Sequence, residues 1–210
     1  MQRRLKISSK DLKYVLAFFI ITTIVVSASV YLQLEAAPTD QFFSMWILGA
    51  NGLTENYFPN NNPNLIVGET VNWTLGIYNH NSALQYVVLR VKLLNATQIA
   101  PNELTGAPSP VDAIFEFARV LTSNETWAVP FVWAIMNETN FRGSLKITGL
   151  MINQTLITGN LGEANSGLNF RMVFELWFYD PATDRLAFSQ TTTTASYSIW
   201  TQLWFNATAT

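Results

Sequence analysis

Hydrophobic and polar positions divide the chain into two parts with different periodicities. Residues 14–32 form an apolar run of 19 residues without a charged side chain. As an α-helix this run would be roughly 28 Å long, close to the thickness of the hydrocarbon core of a bilayer. Tyr14 and Tyr31 stand near its two ends, as aromatic residues do at membrane surfaces. The pattern predicts a membrane-spanning helix over residues 14–34.

A cleaved signal peptide is the alternative interpretation of this run, because Ser27, Ala28 and Ser29 are small residues that suit a peptidase site. The run is longer than the apolar core of about 7–15 residues in a signal peptide, which favours a retained anchor. Thr23 and Ser27 lie four residues apart. We predict that this small-residue face packs on another membrane helix.

Charge around the apolar run predicts the orientation of the anchor. Residues 1–14 carry five basic side chains and one acidic side chain, a net charge of +4, whereas the remainder of the chain carries −6. Basic residues before a membrane helix stay on the cytoplasmic side. The sequence therefore predicts a cytoplasmic basic tail at 1–13, a linker at 35–40 and an extracellular domain at 41–210 of a single-pass cell-membrane protein.

Beyond residue 40 the period changes to two, which is typical of β-strands. In residues 71–78, 86–93 and 172–179 every second residue is apolar, and β-branched and aromatic side chains are frequent. Further candidate strands, separated by Asn-, Gly-, Pro- and Asp-rich turns, are 41–48, 115–122, 127–136, 144–152, 186–194 and 196–206.

These segments predict an all-β domain, an antiparallel immunoglobulin-like β-sandwich of about eight or nine strands preceded by one transmembrane helix. Residues 109–120 could instead begin a helix, with Ser109 as N-cap and Pro110 in its first turn, but a strand is preferred there. Residues 95–112 and 153–169 contain Asn, Gly and Pro and are predicted to be long loops.

Acceptor sites for N-linked glycans support an external location. Six Asn-x-Thr sequons occur where the abundance of Asn, Ser and Thr predicts about three by chance. All of them follow the apolar run, on the side that charge assigns to the exterior. The predicted acceptors are Asn72, Asn95, Asn124, Asn137, Asn153 and Asn206.

Composition excludes several classes of chemistry. The chain has no cysteine and only one histidine, His80, so thiolate sites and multi-histidine metal centres cannot form within it. The acidic body lacks the basic footprint that nucleic acid requires. Asp180 and Asp184 flank a turn and are predicted to cap it. We predict no catalytic residues, no metal and no cofactor, and hence no enzyme.

Three tryptophans lie on the unexpected side of their strands. Trp177 stands opposite the apolar positions of 172–179, and Trp200 and Trp204 stand opposite those of 196–206. They could pack beneath loops or the other sheet. Alternatively, they form an exposed aromatic patch, which suits a protein partner or a glycan.

Residues 42–91 and 170–205 resemble a family of archaeal membrane proteins called domain of unknown function 1616. The similarity lies in the C-terminal extracytoplasmic β domain. The family often has several membrane helices where this chain has one, and this chain has an insertion around residues 57–62. The motifs that carry the resemblance are Ile47-Leu48-Gly49, Gly52, Glu55, Asn64-Leu65, Val67-Gly68-Glu69, Gly76-Ile77-Tyr78-Asn79-His80 and the closing hairpin of residues 170–205.

The resemblance implies an archaeal, outward-facing sandwich and supplies no activity. We therefore expect a non-catalytic, glycosylated accessory or scaffold subunit of a membrane or cell-envelope complex. Its expected partners are integral membrane proteins or envelope proteins, the lipid bilayer and N-linked glycans, and not nucleic acid. The alternative is an independent cell-surface protein, either an adhesin or a component associated with a surface layer or pilus.

Overall fold

The N-terminal unit is one helix. In the computed structural model, which describes residues 9–35, 42–191 and 196–208, helix α1 spans Ser9–Glu35. Its segment Lys13–Tyr31 is 19 residues long with a mean hydropathy of 2.1, long and apolar enough to cross a membrane. Within it, the hydroxyls of Thr22, Thr23 and Ser29 donate to carbonyl oxygens four residues earlier, which lowers the cost of placing them in hydrocarbon. Most of the predicted linker lies outside the described residues.

The second unit is an antiparallel β-sandwich, which confirms the predicted fold class. One sheet has five strands in the order β1-β3-β6-β7-β8, and the other is built on the path β11-β12-β9-β4-β5. Strand β10 pairs with the end of β9, and β2 pairs in parallel with the end of β12. The strands are β1 (Phe43–Leu48), β2 (Asn64–Leu65), β3 (Thr70–Asn79), β4 (Gln85–Leu94), β5 (Phe115–Leu121), β6 (Thr126–Phe141), β7 (Ser144–Ile152), β8 (Thr155–Asn165), β9 (Phe170–Asp180), β10 (Arg185–Ala187), β11 (Ser189–Thr191) and β12 (Ser196–Ala207).

The prediction of a loop over residues 153–169 is wrong, because Thr155–Asn165 form strand β8. Asn153 and Gln154 both have positive φ angles, 44° and 70°, and they join Ile152 to Thr155 as a two-residue hairpin turn. Such turns match the twist of the flanking strands. Strand β8 itself is a mostly exposed strand at the edge of its sheet, so its side chains lack the alternation that marks a half-buried strand.

The remaining differences are smaller. Residues 109–120 do not form a helix, because β5 occupies Phe115–Leu121. The single strand predicted over 186–194 is two short strands, β10 and β11, which meet different neighbours. The described residues thus form twelve strands where eight or nine were predicted, and three of these strands, β2, β10 and β11, are only two or three residues long.

An aromatic cluster lies at the centre of the sandwich. Trp73 and Trp133 from the first sheet pack edge-on, with ring centroids 5.3 Å apart. Phe131 contacts Phe174 of the facing sheet edge-on at 5.0 Å, a preferred geometry for aromatic pairs. All four side chains are buried, so this cluster joins the two sheets.

We expect Phe131→Ala to lower the free energy of unfolding by about 3–5 kcal/mol, because truncation leaves a cavity between the sheets. The measurement is denaturant-induced unfolding of the full chain in detergent, monitored by tryptophan fluorescence. Phe141→Ala is the matched control, since Phe141 is 69% exposed and its loss should change stability by less than about 0.5 kcal/mol. Equal effects of the two substitutions would contradict this assignment of the core.

Candidate functional site

The central strands of the second sheet, β4 and β9, are buried on both of their faces. Alternate residues of β4 and β9 face the core, yet the residues between them are also nearly inaccessible. The cover is the segment between β4 and β5, residues 95–114, which we call the covering segment. It makes contacts to β9 and β12 along its length. The buried outward-facing side chains of β4 and β9 are Val88, Lys92, Leu94, Arg171, Val173 and Glu175.

A buried ion pair joins this sheet to its cover. The Lys92 Nζ lies 2.9 Å from the Glu175 Oε2, and the two side chains are only 5% and 0% exposed. Ser109 completes the site, because its carbonyl accepts from Lys92 at 2.6 Å and its N–H donates to Glu175 Oε1 at 2.8 Å. Trp177 Nε1 donates to Glu175 Oε2 at 3.0 Å. Hydrogen bonds to protein groups therefore replace the water that both charged groups lose on burial, which is the condition for burying them.

Trp177 is largely occupied by contacts within its own chain. The Arg90 guanidinium lies 4.0 Å from the Trp177 ring centroid, and Phe188 packs against the ring at 5.8 Å. Arg90 is held in turn by Glu116, at 2.7 Å. Of the three predicted surface tryptophans, Trp177 thus belongs to the packing of the sheet's outer layer.

Trp204 is exposed and Trp200 is half-buried, and both lie beside the covering segment. Trp200 Nε1 donates to Glu103 Oε2 at 3.0 Å. The pKa of Glu103 is lowered, first by a hydrogen bond from its own backbone amide and second by the bond from Trp200. Trp204 is 42% exposed, and the Arg171 guanidinium lies 5.0 Å from its ring centroid.

Two aliphatic residues of the covering segment extend this aromatic surface. Leu104 is 92% exposed and follows Glu103, the partner of Trp200; Ile99 is 69% exposed and follows Gln98. The Gln98 carbonyl accepts from Arg171, which contacts Trp204. We call Ile99, Leu104, Trp200 and Trp204 the apolar patch. Sequence analysis missed Ile99 and Leu104, because isolated apolar residues in a predicted loop carry no periodic signal.

Arg171 places a cation beneath the patch. It is 6% exposed, and its described polar partners are the neutral oxygens of Gln98 and Gln202. Among the residues that the structure describes, no carboxylate pairs with it and its Nε lacks a hydrogen-bond partner. Burial lowers the pKa of Arg171, but a guanidinium stays charged. The patch therefore combines apolar contact area with an uncompensated positive charge.

The predicted glycan acceptors all lie in the described part of the domain. Asn72, Asn124 and Asn137 are exposed, whereas Asn95, Asn153 and Asn206 are half-buried. The side chains of these six asparagines differ in their hydrogen bonds. In α1, Thr23 and Ser27 are both exposed, with the Thr23 hydroxyl bound to the Phe19 carbonyl at 2.8 Å.

A polar cleft of about 490 Å³ opens beside the start of β7. Within it, the Ser144 hydroxyl donates to Glu163 at 2.7 Å. That bond, and second the charge of Lys146, lower the pKa of Glu163. The lining residues are Asn95, Ala96, Thr97, Ser144, Glu163, Ala164, Asn165, Leu168 and Asn169, and they include no aromatic ring on which a sugar could stack.

The other candidate groups occupy structural positions. Asp180 accepts from Ala182 N–H and the Thr183 hydroxyl, which confirms its predicted turn-capping role. Asp184 accepts from the Tyr179 hydroxyl. His80, the single histidine, is half-buried and stacks on Phe42 with ring centroids 3.9 Å apart. In the described ranges, no three His, Asp or Glu side chains are grouped to hold a metal ion.

No protein-family model and no curated protein matches the chain. Among solved structures, a β-glucosidase from Listeria innocua in complex with glucose aligns over 80% of this chain, at 11% identity and a TM-score of 0.37. The aligned region is 16% of the glucosidase, so this chain spans about a sixth of it. A FixG-related protein from Vibrio parahaemolyticus aligns over 79% of this chain and 95% of its own length, at 10% identity and a TM-score of 0.31. Similarities at this level carry no argument about function.

We expect Glu175→Gln to lower the free energy of unfolding by about 3–5 kcal/mol, because it leaves the Lys92 ammonium buried without a counter-charge. Hydrogen exchange at the Ser109 amide should accelerate at the same time, since that amide loses a charged acceptor. Glu163→Gln, which breaks an exposed ion pair at 3.6 Å, is the matched control and should cost no more than about 1 kcal/mol.

The double variant Lys92→Met with Glu175→Leu completes this test. Replacement of both charges by apolar side chains should restore most of the lost stability, because neither buried charge remains. A double variant as unstable as Glu175→Gln would contradict the view that the uncompensated ammonium causes the loss.

Proposed function

We propose that this protein is a non-catalytic, membrane-anchored accessory or scaffold subunit of a membrane or cell-envelope complex. The observation that carries the proposal is the apolar patch, in which Trp204, Ile99 and Leu104 are exposed and Trp200 is half-buried beside them. Tryptophan is enriched among the residues that dominate binding energy at protein interfaces. A rigid support lowers the ordering cost of binding.

The N-terminal segment supports a single-pass topology for this subunit. Residues 14–32, which carry no charge, follow a basic tail, and by the positive-inside rule the tail would lie in the cytoplasm and residues 41–210 outside the cell. The Thr23 and Ser27 face of α1 would offer a second contact, through close approach to a partner's membrane helix. Anchor and patch together would bind one partner at two places.

The patch suggests the chemistry of the partner. Its side chains favour an apolar segment, and the buried Arg171 favours a carboxylate or carbonyl oxygen close to that segment. An integral membrane protein with an external loop that carries apolar and acidic residues would satisfy both conditions. The resemblance to the archaeal domain of unknown function 1616 supports an archaeal cell envelope as the setting and implies no activity.

A second candidate function is an independent cell-surface adhesin or a surface-layer or pilus-associated protein. The six sequons favour it as much as they favour the accessory subunit, because both are exposed to the exterior. The two candidates differ in what remains bound: a complex subunit retains membrane proteins at fixed stoichiometry, whereas a coat protein is recovered alone or with other coat proteins.

We expect Leu104→Ser to release the partner from the native protein purified in mild detergent, with intact folding. Leu104 is 92% exposed, so its loss should leave stability within about 0.5 kcal/mol of the parent. Trp204→Ala should act in the same direction and lower affinity by about 2 kcal/mol, roughly thirty-fold, if Trp204 is an interface anchor. The readout is quantitative mass spectrometry of the proteins that are co-purified.

Phe141→Ala is the control for this experiment, because Phe141 is also an exposed hydrophobic residue, at 69%, but lies at the β6–β7 turn of the other sheet. It should leave partner retention unchanged. Full retention by both Leu104→Ser and Trp204→Ala would overturn the patch as the docking surface. Recovery of the parent protein without any membrane protein would favour the surface-protein alternative.

A further inference from the structure

The six sequon asparagines differ in how the fold uses their carboxamides. The carboxamides of three of them hydrogen-bond to backbone groups, and those of two make no hydrogen bond within the described structure. Asn124 is an intermediate case. Asn124 is exposed and bonds only to the side chains of Tyr78 and Ser123. Transfer of a glycan requires a free carboxamide nitrogen, so this difference separates structural asparagines from acceptors.

Asn153 is the clearest structural case. Its Oδ1 accepts from Val132 N–H at 2.8 Å, and its Nδ2 donates to the Pro130 carbonyl at 2.7 Å. Strand β7 ends at Ile152. The Asn153 side chain therefore hydrogen-bonds to backbone groups of β6 that lie beyond the end of β7. A glycan on Nδ2 would replace one of its two hydrogens and would compete with the bond to Pro130.

Asn95 and Asn206 are used in a similar way. Asn95 Oδ1 accepts from the N–H groups of Thr97 and Gln98, and its Nδ2 donates to the Glu163 carbonyl at 2.6 Å. Asn206 Oδ1 accepts from Asn169 N–H at 2.8 Å, and its Nδ2 donates to Asn64 Oδ1 at 2.7 Å. Each of these carboxamides ties together segments that are distant in the chain.

Asn72 projects freely from the first sheet. It lies on β3 opposite Val132 of β6, is exposed, and has no side-chain hydrogen bond among the described residues. Strand β1 pairs with β3 only as far as Thr74, so no β1 residue pairs with Asn72 on that side. The flanking outward residues Pro130 and Val132 are exposed, and a sugar could extend over them without a clash.

Asn137 occupies a comparable position. It is exposed, lies at an irregularity where β6 changes register with β7, and pairs with Gly149. A Cβ at position 149 would stand 3.0 Å from the Asn137 Nδ2, so the glycine gives this carboxamide its space. The described structure contains no hydrogen bond that would have to break on modification.

We infer that Asn72 and Asn137 are the glycan acceptors of the first sheet, whereas Asn95, Asn153 and Asn206 remain unmodified. The donor would be an oligosaccharide joined through its anomeric carbon to a lipid phosphate. A bond forms between that carbon and Nδ2, the bond from carbon to phosphate oxygen breaks, Nδ2 loses one proton, and the lipid phosphate leaves. The inference rests on the external location in the proposed function.

The positions of the two acceptors suggest that the outer faces of the two sheets have different roles. Both lie on the first sheet, whereas the apolar patch lies on the second sheet and its covering segment. Carbohydrate on Asn72 would occupy the open face of the first sheet. The second sheet and its covering segment, which carry the patch and the structural sequons Asn95 and Asn206, would stay available for protein contact.

The first test is glycopeptide mapping of the native protein from its own membranes. We expect one glycan at Asn72, one at Asn137, and unmodified peptides at Asn95, Asn153 and Asn206. The variants Thr74→Ala and Thr139→Ala destroy the sequons but keep the asparagines, so each should remove the mass of one glycan. Modification of Asn95, Asn153 or Asn206, or unmodified Asn72 and Asn137, would overturn the inference.

A matched pair of variants tests the structural role separately. Thr155→Ala destroys the Asn153 sequon but keeps its carboxamide, so glycan mass and melting temperature should stay unchanged. Asn153→Gln destroys both, and its displaced carboxamide should lower the melting temperature by several degrees at unchanged glycan mass. If Thr155→Ala removed a glycan, the assignment of Asn153 would be wrong.

These outcomes are independent of the test of partner binding. Thr74→Ala and Thr139→Ala lie away from the patch and should retain any membrane partner. Unmodified Asn72 and Asn137 in a protein that keeps its partner would overturn the glycan assignment alone. Glycans at both sites, in a protein recovered without membrane partners, would support the assignment and contradict the accessory-subunit proposal.

Discussion

The Lys92–Glu175 ion pair is the interaction on which the exposed surface of the domain depends. Two charges at 5% and 0% exposure are tolerable only when their hydrogen-bonding capacity is met inside the protein. Ser109 meets it with one backbone N–H and one carbonyl. Lifting the covering segment from the sheet would break both of these hydrogen bonds. Ile99 and Leu104 are therefore carried on a segment that is held at Gln98, Glu103 and Ser109.

Burial on both faces explains an unusual feature of the second sheet. Strands β4 and β9 are buried at nearly every position, as in sheets that are covered on two sides. The first sheet is different, because the outward positions of β3 and β6 are mostly exposed and carry Thr, Ala and Pro along with Asn72. One domain thus has a covered face bearing a rigid apolar patch and an open face bearing a free sequon.

The sequence predicted the strands correctly where the alternation of apolar residues matches the alternation of buried positions. The alternation of β3 and β9, and the turn capped by Asp180, follow from side-chain period and from the preference of Asp for turns. Sequence reasoning failed at β8, whose exposed residues show no alternation and whose strand conformation depends on pairing with β7. It also left the tryptophans undecided between packing and exposure. The structure resolves them differently: Trp177 packs within the layer, and Trp204 remains at the surface.

The sequence by itself determined an apolar helix long enough to span a membrane, an antiparallel sandwich, and the absence of thiol or multi-histidine chemistry. These follow from residue type and from periods of a few residues. Only the tertiary structure decided that Lys92 and Glu175 are a buried pair, that Glu103 binds Trp200, and that the Asn153 carboxamide binds the backbone of β6 whereas that of Asn72 makes no hydrogen bond among the described residues. The physical reason is that side-chain period determines which residues share a face, whereas the cover of that face comes from segments distant in the chain.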